Sequence, residues 1–156
     1  MESATRPLDN VRIAAVKSRK RSISLVIAGP EGDRLLLVRR PPDDESLPGV
    51  WGLPAASLAD GESEEDAVRR AGRTKLGVDV RPLRVLGEAG VERAGYNHHM
   101  CTFEVEVLAG EPAVPQPGGG TQYDAWRWGD TAELEPAARA GSLCSQALLR
   151  ARGMAW

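Results

Sequence analysis

The chain has 156 residues, 42% hydrophobic and 27% charged, a length and balance that suit one globular domain with a single core. Its formal net charge of −2 gives no global attraction to nucleic acid or to an anionic membrane, and no apolar run approaches the length of a membrane span. Two cysteines, Cys101 and Cys144, and the lack of a signal-peptide pattern point to a reducing, cytoplasmic setting with free thiols.

Residues 1–21 carry Arg6, Arg12, Lys17, Arg19, Lys20 and Arg21 against Glu2 and Asp9. Without interleaved aromatics this reads as a basic leader or sheet-edge segment rather than a nucleic-acid arm, and a single domain is expected over 22–156. The runs 22–28 (SISLVIA) and 34–40 (RLLLVRR) are rich in strand formers, and the Gly-Pro-Glu-Gly-Asp between them predicts a hairpin buried on both faces. A loop with two prolines and three acids then delivers Trp51, which can stack on a ligand ring or simply pack.

Residues 51–78 (WGLPAASLADGESEEDAVRRAGRTKLGV) read as a short extended arrival through Trp51 and Leu53, a turn at Pro54, Ala55 and Ala56, a polar loop closing on Gly61, and a helix. Ser63 with Asp66 three residues on makes a capping pair, and Gly77 stands where a left-handed terminator belongs. The acids Glu62, Glu64, Glu65 and Asp66 crowd the first turn and the bases Arg69, Arg70, Arg73 and Lys75 the later ones, as the helix dipole favours. The spacing also predicts i, i+4 pairs between Glu65 and Arg69 and between Asp66 and Arg70.

After the helix, 78–95 predicts a strand pair or meander, with glycines and acids marking bends. Residues 96–108 (YNHHMCTFEVEVL) alternate as a strand, with His99, Cys101, Phe103, Val105 and Val107 on a core face and His98, Met100, Thr102, Glu104 and Glu106 on the other. His98 and His99 point to opposite faces and so do not share a metal; His98 is a candidate acid/base group because imidazole titrates near neutrality. Cys101 is a poor nucleophile among apolar neighbours. Residues 109–121 are a Pro- and Gly-rich loop with room for a lid, 123–129 the last strand, 130–134 a short turn helix and 135–141 a connector. Ser142 caps a closing helix with a Cys144, Ala147, Leu148 and Ala151 stripe, stopped by Gly153.

The 51–78 stretch resembles the signature of the Nudix hydrolases, G-x5-E-x7-R-E-U-x-E-E-x-G-U, where U is a bulky aliphatic residue. Glu62 takes the first glutamate, Arg70 the arginine, Gly77 the last glycine and Val78 the last aliphatic position, without a gap. The resemblance implies an α/β/α sandwich with a mixed sheet, covering about residues 22–152, and a family activity of hydrolysing nucleoside diphosphate-linked compounds. It also implies that the strand ending in Arg39 and Arg40 borders the ligand pocket. One of the two is then a bidentate phosphate donor, unless both are held by Asp43, Asp44 or Glu45.

The family's three helical glutamates fall on Ala71, Thr74 and Lys75, its opening glycine on Ala56 and its helical aliphatic residue on Gly72. Positions 71, 74 and 75 share one helix face, and in the family that face holds a divalent cation on carboxylate oxygens. Here it carries one ammonium instead of three carboxylates. A unit positive charge about 4 Å from a dication costs roughly 8 kcal/mol at an effective dielectric of about 20.

The expectation is therefore a Nudix-like protein with no metal ligands and no cofactor, magnesium included, that binds a nucleotide-like or phosphorylated small molecule and has lost hydrolysis. A homodimer stays open; nucleic acid and membrane are not expected partners. Glu62, Arg70, His98 and Asp124 are the candidate catalytic residues, and Arg39, Arg40, Trp51 and Glu104 the candidate ligand-binding ones. Two alternatives remain: a metal-independent enzyme moving protons through His98, Asp124 and Glu104, or a magnesium-dependent hydrolase using relocated acids such as Glu62, Glu65 and Asp124.

Overall fold

A computed structural model of the protein describes residues 18–117 and 122–156. Residues 1–17 of the basic leader expected over 1–21, and residues 118–121 of the 109–121 loop with room for a lid, lie outside the described residues.

Strands β1 (Ser18–Ile27), β4 (Ala55–Ser57), β5 (Asp79–Arg93) and β6 (Tyr96–Ala109) form a four-stranded sheet in the order β4-β1-β6-β5. Strands β2 (Leu35–Arg39), β3 (Trp51–Gly52) and β7 (Ala125–Gly129) form a three-stranded sheet in the order β3-β2-β7. β1 runs parallel to β6 while every other pairing is antiparallel, so the larger sheet is mixed. Helix α1 (Glu64–Ala71) packs on one side, and α2 (Glu135–Arg139) with α3 (Leu143–Ala151) on the other. This is the expected α/β/α arrangement of helices about a mixed sheet.

The core lies in two layers. Ile23, Leu25, Leu36, Val38, Val68, Cys101 and Phe103 belong to the layer under α1, and Val26, Leu35, Leu37, Met100 and Leu148 to the layer under α3. Leu35 to Val38 feed both layers alternately, which explains an unbroken apolar run in place of an alternating one.

Four local expectations are corrected. The 22–28 and 34–40 runs do not pair as a hairpin: they enter different sheets, linked at their near ends by an Ala28–Leu35 bridge and the 2.7 Å bond from Gly29 N to Arg34 O. Residues 55–57 form a strand on the edge of β1 where a turn was expected, because small side chains there let the backbone lie against Ser22, Ile23 and Ser24.

The 78–95 meander is one long strand with register shifts at Asp79/Val80, Pro82/Arg84 and Val85/Gly87. Gly87 marks a close approach rather than a bend, since a Cβ there would stand 3.1 Å from Ala147 O and 3.2 Å from the Ala151 Cβ of α3. The connector at 135–141 contains helix α2.

The caps follow the sequence. Ser63 Oγ accepts from Asp66 N at 3.1 Å, and Ser142 caps α3 through Ser145 N. α1 continues into a wider π turn over Gly72–Leu76 that ends at Gly77 with φ 73°. Gly72, which opens that turn, is pressed against the 78–80 backbone and side chains: a Cβ would lie 2.9 Å from Val80 Cγ2 and 3.0 Å from Val78 O.

A candidate phosphate-binding cleft beside the 62–78 helix

Four cations, Lys20 from β1, Arg40 after β2, Arg70 from α1 and Lys75 from the π turn, line a cleft of about 550 Å³, with His98 of β6 and Tyr123 at its walls. Among the described residues no aspartate or glutamate lines it. Backbone register builds this set: Lys20 stands opposite His98 and Ser22 opposite Met100 in the parallel β1–β6 pair, which aims all four at the same face. Ala55 and Ala56 supply a floor with little side chain. Past Ala55 and Met100 the cleft continues into a space of about 490 Å³ bordered by Asp44, Arg93, Tyr96 and Ser142.

Arg70 is fixed by a bidentate pair with Glu62, Nε to Oε2 and Nη2 to Oε1, both 2.9 Å, and it also donates to Ser57 O at 2.7 Å. Glu62 accepts from Ala59 N at 2.9 Å, so the loop is tied to α1 from both ends. The Arg70 hydrogen bonds, with that backbone donor, pull the Glu62 carboxyl down to about 2. Asp66 and Arg70 therefore do not pair as the spacing suggested; Asp66 meets Arg69 at 3.3 Å instead.

Lys75 is 8% exposed, and its ammonium lies 5.7 Å from the centre of the Tyr123 ring. Burial, then repulsion from Arg40 and Arg70, lowers its pKa. Tyr123 is itself held by Ala55, whose N donates to the phenol oxygen at 3.0 Å.

His98 Nε2 lies 3.0 Å from Ser22 Oγ, while its Nδ1 is buried without a hydrogen-bond partner among the described residues. Burial, with Lys20, Arg93 and His99 nearby, pushes its pKa down to about 4, so the ring is neutral at pH 7. Burial also drives the Cys101 thiol up to about 12.

The other candidates fall elsewhere. Of the two strand-end arginines, Arg40 faces the cleft and Arg39 does not: Arg39 Nε donates to Asp124 Oδ1 at 2.8 Å and its guanidinium lies 5.6 Å from the Trp51 ring. The Arg127 guanidinium also lies over Trp51, 4.5 Å from the ring centre, and Trp51 packs on the α3 layer, outside the cleft lining. Glu104 pairs with Arg84 at 2.7 Å on a different surface. His99 meets Glu88 at 2.8 Å beside a more open depression of about 690 Å³ that the 71–75 side chains do not reach.

His98, Asp124 and Glu104 are thus not brought together, and neither are Glu62, Glu65 and Asp124. The sequence reading missed Lys20, Ser22 and Tyr123. The signal for the first two was their shared parity on β1, usable only once the parallel partner of that strand is known.

A divalent cation at the 71, 74 and 75 face needs carboxylate oxygens there. Ala71 has a buried methyl, Thr74 is exposed and Lys75 brings a positive charge. Among the described residues no three His, Cys, Asp or Glu side chains converge. The donor set does not fit magnesium.

A cleft between a mixed sheet and a loop-braced helix, carrying the Glu62–Arg70 pair of the box, defines the Nudix class. The NUDIX domain family model matches residues 18–145, and the chain belongs to the Nudix hydrolase family.

Among curated proteins it is 36% identical over 97 residues to NAD-capped RNA hydrolase NudC of Stutzerimonas stutzeri (strain A1501), covering 62% of this chain and 33% of that protein. It is 34% identical over 96 residues to NudC of Pseudomonas aeruginosa (strain LESB58), covering 61% and 32%. The chain spans about a third of the length of these relatives.

Among solved structures, a MutT protein from Methanosarcina mazei Go1 superposes with a TM-score of 0.68 at 18% identity, over 88% of this chain and 95% of that one. A NUDIX hydrolase from Nitrosomonas europaea gives 0.67 at 21% identity, over 87% and 89%. Both likenesses bear on the fold.

Proposed function

We propose that this Nudix-fold protein binds a nucleotide-like or phosphorylated small molecule in the cleft between β1, β6 and the 70–75 helix segment, and that magnesium-dependent pyrophosphate hydrolysis has been lost. The observation that carries the reading is the charge of the lining: four cations and no carboxylate, with Lys75 in a position where the family motif has a glutamate. Such a surface attracts phosphate oxygens and repels a dication. The space beyond Ala55 and Met100 has room for the remainder of a nucleotide-sized ligand.

The name of the curated relatives, NAD-capped RNA hydrolase, puts NAD and other dinucleotides first among ligands to try. Thermal unfolding of the full chain with NAD, nucleotide sugars, coenzyme A and isoprenoid diphosphates, in EDTA and in magnesium, tests the reading. At least one of these ligands is expected to raise Tm in EDTA, with magnesium alone changing neither Tm nor phosphate release. Magnesium-dependent cleavage of any of these diphosphates by the unmodified protein would return it to the ordinary catalytic class.

A further inference from the structure

The cleft combines three features that together specify more than a generally positive surface. Its cations come from β1, from the loop after β2 and from two positions of the continuous 64–76 helix, and they converge on one space, so they are not a solvated charge run along one helix face. The acids that hold its guanidiniums are Glu62, outside the lining at 2.9 Å from Arg70, and Asp44, 3.4 Å from Arg40 on the border of the adjoining space. Lys75 is buried at the inner end, close enough to Arg40 and Arg70 for both to disfavour its charge. Arg40 and Arg70 keep their Asp44 and Glu62 partners, and their guanidiniums still converge with Lys75 and Lys20 on one cavity, where an anion is favoured.

We infer that Lys75, Arg40 and Lys20 contact a diphosphate group directly, with the Lys75 ammonium supplying the positive charge that a bridging magnesium would otherwise bring. This rests on the reading of the protein as a binder of phosphorylated ligands and specifies how the phosphate is held. Arg70, locked by Glu62 and Ser57, forms the fixed wall of the clasp, and Lys75 and Lys20 are its adaptable donors. Neutral His98 borders the same space and adds no charge.

A consequence separates this clasp from a metal-bridged site. Magnesium bound to a diphosphate cancels two of its negative charges and so weakens its attraction to the four cations, which makes magnesium compete with the protein for the ligand instead of assisting it.

The experiment is calorimetric titration of the full chain with inorganic pyrophosphate in EDTA and in excess magnesium, followed by ADP and UDP-glucose to distinguish a terminal from an internal diphosphate. Pyrophosphate is expected to bind in EDTA and to bind at least tenfold more weakly in magnesium.

Lys75→Gln and Arg40→Gln are each expected to weaken binding about tenfold or more, the loss of one charge-assisted contact. Arg73→Gln, an exposed change outside the lining, leaves affinity unchanged. Thermal melts of each variant show that it folds, and the two independent substitutions guard against failure of either one.

Binding of pyrophosphate or a nucleotide only in magnesium, or equal binding by Lys75→Gln and Arg40→Gln, overturns the direct contact while leaving a ligand-binding Nudix protein in place. A chain that binds none of the three probes under either condition, and no other phosphorylated ligand in the thermal screen, removes both.

Discussion

The two halves of the 57–77 segment have had different fates. The amino half keeps the family's glutamate and arginine and uses them as a brace: Glu62 grips Arg70 through two bonds of 2.9 Å, and Arg70 reaches back to Ser57 O. The carboxyl half keeps the final glycine at φ 73° but carries Ala71, Thr74 and Lys75 where the motif has glutamates. Loop and helix are held together by the Glu62–Arg70–Ser57 bonds. The brace and the helix face are therefore separate parts of one motif, since the fold is present with Ala71, Thr74 and Lys75 on that face.

The largest break in that comparison comes from restoring the family residues. Ala71 is fully buried, so the triple variant Ala71→Glu, Thr74→Glu and Lys75→Glu places at least one carboxylate in an apolar site. In EDTA this costs about 3–5 kcal/mol, the penalty of an uncompensated buried charge. A metal seated by the new carboxylates returns about 2–3 kcal/mol at a hundredfold excess over Kd. The melting temperature of the variant is expected to fall in EDTA and to recover by about 5–10 °C in magnesium, whereas the parent does not respond. A triple variant blind to magnesium would mean that Ala55 and Ala56 have also moved the facing loop out of reach.

The second substitution asks whether the carboxyl half has changed as a unit. Gly72 occupies the motif's aliphatic position, yet a Cβ there would come within 2.9 Å of Val80 Cγ2 and 3.0 Å of Val78 O. Gly72→Val, a return towards the family pattern, is expected to destabilise by about 2–3 kcal/mol, the cost of overpacking. Denaturant unfolding measures it. A neutral or stabilising result would show that the π turn relaxes freely and that the glycine is incidental.

These contrasts also show what could be read from one chain. Caps and terminators were legible because they are local: Ser63, Gly77 and Ser142 each act on backbone within a few residues. So was the frame of the box, and so was the alternation of β6.

Across-strand facts were not legible. Leu35 to Val38 is buried on both faces, so its pattern did not say that Arg40 faces the cleft and Arg39 the Trp51 stack. Lys20 joins the site only because β1 lies parallel to β6, a pairing between residues far apart in the chain. Gly87 looked like a bend because a glycine needed for helix approach and one needed for a turn are written with the same letter.

The smallest effect tests the amino half. Glu62 is 14% exposed and Arg70 36%, so Glu62→Gln removes a charge-assisted pair that is only partly screened and is expected to cost about 1–2 kcal/mol at pH 7. The pH dependence distinguishes a lost ion pair from lost packing. Glu62 has its carboxyl lowered from 4.5 to about 2 in the fold, so the unfolded chain binds the proton first as the solution is acidified. Its contribution is complete above about pH 4.5 and disappears as pH falls through about 2. The stability gap between parent and Glu62→Gln should therefore be constant from pH 7 to 5 and close between pH 4.5 and 2 in urea titrations. A gap that persists at the acid end would assign Glu62 a packing role and weaken the case that the amino half survives as an electrostatic brace.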